Sequence, residues 1–499
     1  MGLLAVCNAY TMRVCLNLAV TQMVNNTKGD EEQHFDPNAC PDDSEYFTNG
    51  TYAIFDWSES TQGLILSGFY YGYAITHVPG GYLAERYGGK WTLGIGLLST
   101  AIFTLLTPVV VKAGGATWLF ILRVLQGMGE GPTMPALMIV LARWVPPHER
   151  SRQGALVFGG AQIGNIFGSF MSGFLMAGDG DWANVFYFFG CFGILWFLAW
   201  SILCYSTPNT HPYISEEELK YLNETVTSAD TKSVRDPVPW KAIVRSVPIL
   251  NSLHKEFKSR NTDTTRNLFH NYFPLVGHDW GYYTMVTDLP KYMTDVLKFN
   301  IAATGTLTAI PYLAMWISSF IFGWVCDVCV KRNWHTIKTG RIIHTTIAAT
   351  GPAICIILAS YAGCDRFAAV AYFIASMALM GGFYSGMKVN ALDLAPNYAG
   401  SLTAMINGTS TISGIITPYL IGLLTPDSTL AQWRIAFWVC FAVLVGTNVV
   451  YIFWADGKQQ WWDDVRQYGY PEDWKHGQLK MANQDKEKNK EMEAKNSTK

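Results

Sequence analysis

Apolar segments long enough to cross a lipid bilayer recur along most of the 499 residues. About 20 consecutive apolar residues are needed for one helical crossing. Half of the residues are hydrophobic and only 15% are charged, against roughly 25% in soluble domains. The pattern predicts an all-α membrane protein with twelve transmembrane helices. The predicted spans are residues 1–24, 60–83, 91–111, 117–142, 153–177, 184–206, 270–290, 301–326, 342–361, 367–390, 399–424 and 431–455.

The charges in the loops predict the orientation of the chain, because Lys and Arg concentrate on the cytosolic side of membrane proteins. Residues 25–59 contain nine acids and one base. Segments 143–152 and 327–341 together contain seven bases and two acids. We therefore expect 25–59 to lie outside, and the two basic segments and both termini to lie in the cytosol.

Two kinds of modification are compatible with the predicted outer loops. Glycosylation sequons occur at Asn25 and Asn49. Cys40 and Cys364 are both placed outside, where a disulfide can form, although nothing in the sequence shows that these two residues pair. "CDVC", from Cys326, has no second cysteine pair nearby, so we expect no metal site.

The longest hydrophilic stretch, between the sixth and seventh spans, divides the chain into two sets of six spans. The predicted divisions are 1–206, an N-terminal six-helix bundle with outer loop 25–59; 207–269, a cytosolic linker with an atypical insertion; 270–456, a C-terminal six-helix bundle; and 457–499, a disordered cytosolic tail. The tail is rich in Lys and Glu and lacks apolar periodicity, which is typical of disorder.

A short charged loop occurs twice, 242 residues apart. "GYLAERYGGK" begins at Gly81 and "GWVCDVCVKR" begins at Gly323, each at the predicted cytosolic end of the second helix of its half. Charged turns between helices are common, so one copy is weak evidence. Two copies in equivalent places indicate an internal repeat, and hence pseudo-symmetric bundles. The charged members are Glu85, Arg86, Lys90, Asp327, Lys331 and Arg332.

We expect the two loops to form a cytosolic gate. Glycine lets helices approach closely, and an acid at a helix end can face the positive N-terminus of a neighbouring helix. These rules place Glu85 near 399–401 and Asp327 near 151–153, each in the opposite half. The contacts would hold the cytosolic face shut and break when it opens.

Ionisable side chains within a span cost about 2.5–3.5 kcal/mol each on insertion scales, so each is a candidate functional residue. Arg123 and Glu130 are seven residues apart and share one helix face. A guanidinium matches a carboxylate or phosphate, and the carboxylate can take up a proton or sodium ion. The alternative is a structural pair, within the helix or with another helix. Arg13 lies in the middle of the first span. Its side chain either lines the substrate cavity together with Arg123 and Glu130 or lies outside that cavity.

Other polar and small residues within the spans allow more than one interpretation. His278 and Asp279 can relay a proton or form a polar pair at a poorly formed helix end. Lys388, at the end of a span, is expected to extend towards the membrane interface. Gly160, and glycines four and eight residues later, are expected to pack the two halves together.

The repeated loop resembles the signature of the major facilitator superfamily, and four further motifs resemble its anion and phosphate cotransporter family. That family includes sodium–phosphate cotransporters, sialin and vesicular glutamate transporters. The motifs are "RVLQGMGEGPTMPA", "RWVPPHERSR", "GYAITHVPGGYLAERYGGK" and "SGMKVNALDLAPNYAG", and they most resemble insect-type inorganic phosphate cotransporters. The resemblance covers about residues 5–460. It implies the major facilitator fold, two six-helix bundles around a site at the membrane midplane.

The resemblance also implies roles for the buried charges. It assigns anion binding to Arg123 and coupling to Glu130, and Arg13 matches an arginine of the vesicular members. Leu66 and His278 stand where vesicular members have His and Arg, which argues against vesicular glutamate uptake. Residues 251–274 replace the start of the seventh span with a polar stretch, which puts an intact seventh helix in question.

These features predict a secondary transporter that moves inorganic phosphate or a small organic anion with a cation, by alternating access. The alternative is a proton-coupled lysosomal exporter of organic anions. HExxH and GxSxG motifs are absent from the sequence, which argues against an integral-membrane enzyme. The expected partners are a small anion, lipid, and sodium or a proton as coupling ion. We expect no other cofactor, no nucleic acid, a monomer, and the plasma membrane rather than a lysosomal or vesicular membrane.

Overall fold

The computed structural model describes residues 1–24, 40, 55–146, 150–179, 181–227, 275–388, 390 and 399–455. Asn25, Asn49, the insertion at 251–274 and the tail at 457–499 lie outside this part. The described residues are almost entirely helical, and a single bridge joins Val24 and Phe55.

The helices of the first half match the predicted spans closely. They are α1 (Gly2–Met23), α2 (Glu59–Tyr87), α3 (Gly89–Glu130), α4 (Thr133–Trp144), α5 (Arg150–Phe158), α6 (Gly160–Asp179) and α7 (Ala183–Leu203). A short helix, α8 (Glu216–Leu222), follows in the linker.

Helix α3 contains two of the predicted spans. Gly115, at φ 62° and ψ −148°, interrupts the helical backbone in a conformation that glycine adopts at little cost. The two arms lie antiparallel, because Thr100 Oγ1 in one donates to the Gln126 carbonyl in the other at 3.2 Å. The loop predicted between the spans is therefore a single sharp bend.

The second half begins its described part at residue 275. Its elements are α9 (275–283), a π-helical turn (Thr284–Asp288), α10 (Leu289–Asp295), α11 (Ile301–Lys331), α12 (Ile337–Tyr361), α13 (Arg366–Met380), α14 (Ala399–Leu424) and α15 (Leu430–Trp454). A 3-10 turn (Gly381–Phe383) and a π turn (Tyr384–Lys388) extend α13.

Polar side chains mark where several of these helices begin. Asn300 caps α11 by accepting from the Ala303 amide at 2.8 Å, and Thr429 forms a capping box with Gln432 at α15. The π turn in the seventh span leaves carbonyls without the usual helical donors. The Val286 carbonyl accepts from Asn17 Nδ2 of α1 at 2.8 Å, so this irregular turn joins the two halves.

Seven helical runs of the described part are long and apolar enough to cross a membrane. Gly115 divides one of them, residues 89–144, into two crossings. Helices α2, α6 and α14 and residues 275–295 supply the remaining four. The architecture is the predicted all-α membrane fold with twelve crossings.

Buried apolar residues form two clusters. One is drawn from residues 5–200 and the other, apart from Val14, from residues 285–444. This arrangement is what two bundles require, although the exact domain boundaries stay a prediction.

The two halves touch closely at their predicted outer ends. A Cβ on Gly173 of α6 would lie 2.8 Å from Gly305 Cα of α11. A Cβ on Gly63 of α2 would lie 2.3 Å from the Pro418 carbonyl of α14. Real Cβ atoms do not come this close, so the glycines allow helix backbones of opposite halves to meet. The outer side of the molecule is closed.

The glycine stripe beginning at Gly160 has a different partner from the one we expected. Cβ atoms on Gly160 and Gly164 would lie 2.4 Å and 2.5 Å from the carbonyls of Leu3 and Cys7. The stripe therefore packs α6 against α1 within one half, and the prediction that it joins the halves is wrong.

A disulfide links Cys40 and Cys364, whose Cα atoms are 5.2 Å apart. The two cysteines belong to different halves. The sequence allows this disulfide without indicating it, and the structure contains it. Disulfides persist in oxidising compartments, so the bond agrees with an outer location for both loops.

Candidate functional site

The buried charges of α1 and α3 meet in one cluster at the middle of the first half. Arg13 Nη2 donates to Glu130 Oε1, and both side chains are almost completely buried. Arg13 therefore faces the same interior as Glu130. Glu130 therefore pairs with a residue of another helix, as in the alternative in which the carboxylate forms a structural ion pair.

Arg123 forms no ion pair with any residue that the structure describes, although it is only 3% exposed. Its Nη1 donates to Gln126 Oε1 at 3.1 Å and its Nη2 to the Arg13 carbonyl at 3.3 Å. Gln126 is itself held by Thr104 Oγ1 at 3.2 Å. Two guanidinium groups and one carboxylate leave the cluster with one net positive charge. A buried charge without a counter-ion is costly, so the cluster favours an added anion.

Aromatic rings surround the two arginines. The Phe69 ring lies between them, with its centroid 4.8 Å from Arg13 Cζ and 5.1 Å from Arg123 Cζ. Tyr10 and Tyr73 also lie within cation–π distance of Arg13. The rings stabilise the cations through their faces without neutralising them. The positive charge therefore remains available to a ligand.

The second half contacts α6 of the first half through tyrosines. Tyr282 accepts from Asn165 Nδ2 at 2.7 Å, and Tyr384 accepts from Gln162 Nε2 at 3.0 Å. Both amides belong to α6, so these hydrogen bonds cross between the halves. Such contacts can break and re-form when the halves move relative to each other.

His278 and Asp279 lie in the second half, and the structure does not bring them into contact with Glu130. The His278 Nδ1 and Asp279 Oδ1 atoms are 3.1 Å apart, and the His278 ring stacks on Phe383 at a centroid distance of 3.6 Å. The buried Nε2 atom has no partner among the described residues. The geometry permits the proton relay suggested by the sequence, and the relay stays a prediction.

The structure gives only partial information on the predicted gate. A Cβ added to Gly81 would lie 3.5 Å from the Pro135 Cβ, which is an ordinary van der Waals distance. A Cβ added to Gly323 would meet nothing within 4 Å. Among the described residues, no helix approaches Gly323 closely in this conformation, in which the outer side is the closed one. The partners expected for Glu85 and Asp327 involve side chains outside the described set.

The basic residues of these loops make local contacts. Lys90 Nζ donates to the Ser201 carbonyl at 2.9 Å, and Arg86 lies beside Tyr82 and Tyr87 on the same helix. Asp327, Lys331 and Arg332 are exposed. The gating role of the two loops stays a prediction.

A charged contact that the sequence did not indicate closes the outer side. Lys291 of α10 forms an ion pair with Glu59 and donates to Gln62 Oε1 at 2.7 Å, both on α2 of the other half. The Lys291 and Glu59 side chains are 7% and 10% exposed. We call Glu59, Gln62 and Lys291 the outer lock. The predicted seventh span ends at residue 290, one residue before Lys291.

The fold and these buried charges are those of a multi-pass membrane transporter, in which a solute binds between the two halves. The chain matches the family model described as Major Facilitator Superfamily, over residues 2–418 and 275–480. It is 38% identical to a "Putative inorganic phosphate cotransporter" of Drosophila ananassae, over 92% of both chains. It is 36% identical to sialin of Homo sapiens, over 91% of this chain and 87% of sialin.

The solved structure of a D-xylose-proton symporter shares the fold, with a TM-score of 0.63 and 14% identity. The alignment covers 91% of this chain and 97% of the symporter. The chain therefore belongs to the major facilitator superfamily, and within it to the family of the phosphate cotransporters and sialin. It is an integral membrane transporter rather than an enzyme, and the resemblance seen in its motifs is confirmed.

Proposed function

We propose that this protein is a secondary active transporter that moves a small anion together with a cation by alternating access. Inorganic phosphate or a small organic anion is the substrate class we favour. The observation that carries the proposal is Arg123, a buried guanidinium that no carboxylate of the described residues neutralises. The names of the relatives, a phosphate cotransporter and sialin, support an anionic substrate.

The geometry suggests how coupling works. Glu130 accepts a hydrogen bond from Arg13. A proton or sodium ion at Glu130 would weaken that bond and release the Arg13 guanidinium, which can then bind the anion together with Arg123. The anion and the cation therefore favour each other's binding, as symport requires.

The test of this function is transport by purified protein in proteoliposomes. Arg123→Gln removes the charge but keeps hydrogen-bonding groups, and it should abolish uptake of radiolabelled phosphate. Arg123→Lys should retain part of the uptake, because the charge remains without the planar fork. Arg434→Gln, at an arginine that donates to the Ser360 carbonyl far from the cluster, is the matched control. Uptake by Arg123→Gln at the parental rate would refute the assigned role.

The second candidate is a proton-coupled exporter of organic anions from lysosomes, which the identity to sialin favours. Two conditions separate the candidates. Sodium-dependent phosphate uptake supports the first, and transport of sialate driven by a pH gradient without sodium supports the second.

We also propose a monomer at the plasma membrane with glycans at Asn25 and Asn49. Glycosidase treatment and surface biotinylation test the last two points.

A further inference from the structure

Lys388 lies at the end of the π turn that extends α13, close to the boundary between the halves. Its neighbour Tyr384 is bonded to Gln162 of the opposite half at 3.0 Å. The Lys388 side chain is exposed to solvent. This combination is expected of a side chain inside a water-filled cleft between helices.

The direction of the side chain excludes the interfacial position expected from the sequence. The Lys388 Nζ atom lies 5.8 Å from the centroid of the Phe383 ring and 3.4 Å from Asn407 Oδ1 of α14. Both groups belong to neighbouring parts of the second half, whereas a lysine that reaches for the membrane surface would leave them. Lys388 is therefore directed inward.

The ammonium group of Lys388 makes few contacts with the residues that the structure describes. An ammonium has three donors, and its one hydrogen bond to a described residue is long, at 3.4 Å. Asp279 attracts it electrostatically but forms no ion pair with it in the described part. His278 stacks on the same Phe383 ring. Lys388 and His278 thus lie beside the same Phe383 ring, with Asn407 next to Lys388 and the Asp279 carboxylate next to His278.

This group of residues is connected to the central cluster. Ring contacts run from His278 through Tyr282, Tyr283 and Tyr70 to Phe69, which lies beside both arginines. By the predicted topology, Lys388 lies nearer the cytosol than Arg123, because α13 runs inward and ends there.

We propose that Lys388, with Asn407 and His278, forms a second anion-binding subsite on the cytosolic side of the central cluster. It binds a carboxylate or phosphate oxyanion during entry or release at the cytosolic face. The inference rests on the proposed function, since it assigns a further subsite along the same path.

The first experiment measures KM separately at each face, using right-side-out and inside-out proteoliposomes and radiolabelled phosphate. Lys388→Gln should raise KM at the cytosolic face about tenfold, because a charge-assisted hydrogen bond is lost. KM at the outer face should change less than about twofold, since the outer-facing site uses Arg123. Lys388→Arg should restore the parental value. Lys220→Gln, at an exposed lysine of α8, controls for cytosolic surface charge.

Two results overturn the inference while leaving the proposed function intact. In the first, Lys388→Gln has parental KM values at both faces while Arg123→Gln is inactive. In the second, KM rises equally at both faces, which would place Lys388 in the shared central site. Active Arg123→Gln, in contrast, would refute the proposed function itself. If the parent carries sialate and not phosphate, the same comparison is made with labelled sialate.

A second experiment removes any ambiguity from folding, because it compares one protein before and after modification. The thiolate of Lys388→Cys displaces methanesulfinate from an aminoethyl methanethiosulfonate, and the mixed disulfide that forms carries an ammonium. This treatment should restore the cytosolic KM, whereas a neutral methyl reagent should not. Equal restoration by both reagents, or by neither, would overturn the assignment of charge to this position. The parent protein treated in the same way controls for native cysteines.

Discussion

Disrupting the outer lock should bias the transporter towards an outward-open conformation. In the closed outer side, Lys291 pairs with Glu59 and donates to Gln62, and Asp288 and Asp295 lie within electrostatic reach one turn away on either side. Lys291→Met removes the cation that Glu59 pairs with and that lies within one turn of Asp288. Glu59→Gln leaves Lys291 with two carboxylates on its own helix, so the lysine variant should have the larger effect.

The size of the effect follows from burial. Removing one partner of a buried ion pair costs about 3–5 kcal/mol, and here the penalty applies to the closed outer side, because opening hydrates Glu59. A penalty near the lower limit, about 3 kcal/mol, changes the equilibrium roughly a hundredfold. An outward-open population of about 1% would then rise to about half.

The assay is the labelling rate of a buried cysteine by a membrane-impermeant maleimide added from outside. Thr304→Cys is suitable, since Thr304 is fully buried and adjoins Gly305 at the contact with α6. The background lacks the free cysteines but keeps the disulfide. The expected order of labelling rates is Lys291→Met, then Glu59→Gln, then the parent.

Two outcomes would refute the reasoning. One is an unchanged labelling rate in Lys291→Met protein that is correctly inserted. The other concerns Lys291→Met combined with Glu59→Gln, which removes both charges of the pair. Replacing both partners is often nearly neutral, so the double variant should be labelled more slowly than Lys291→Met alone. A strictly additive pair of effects would show that the two side chains do not act on each other.

Two further predictions follow from the buried contacts. Glu130→Gln should retain counterflow exchange of labelled anion but lose accumulation driven by a cation gradient, because an amide neither takes up a proton nor carries a charge; gradient-driven accumulation at the parental level would contradict this. Gly305→Ala places a methyl group 2.7 Å from Gly173 Cα, so the outer side should close poorly, transport should slow severalfold, and Thr304→Cys should label faster. Gly446→Ala, at a glycine with nothing within 4 Å of the added Cβ, is the control and should behave as the parent. Equal behaviour of the two glycine variants would show that the close contact has no role in closure.

Apolar patterning predicts the crossings well, because each helix must satisfy its backbone within the bilayer whatever its neighbours are. It predicts poorly which side chains and which helices contact one another. Helical spacing places Arg123 and Glu130 on one face, but the carboxylate pairs with Arg13 of α1, which depends on how two distant helices pack. The same limit explains the glycine stripe from Gly160, whose spacing indicates close packing without saying against which helix.

The end of a crossing is equally hard to predict. Lys291 follows a Leu-Pro pair that suggests a helix end, yet α10 continues to Asp295, and the lysine pairs with a carboxylate from the other half. Lys388 is similar, since a lysine near a span end suits either the interface or a cleft. In both cases the deciding group lies more than a hundred residues away or on another helix, where no local pattern can reveal it.

The bond between Cys40 and Cys364 makes the transporter resistant to being divided in two. A single protease cut in the linker between α8 and α9 would leave both fragments attached through their outer loops. Such a nicked molecule would run as one band on a gel without reductant and as two bands with it. The two bundles could then be purified as one covalently joined unit that no longer has a continuous chain.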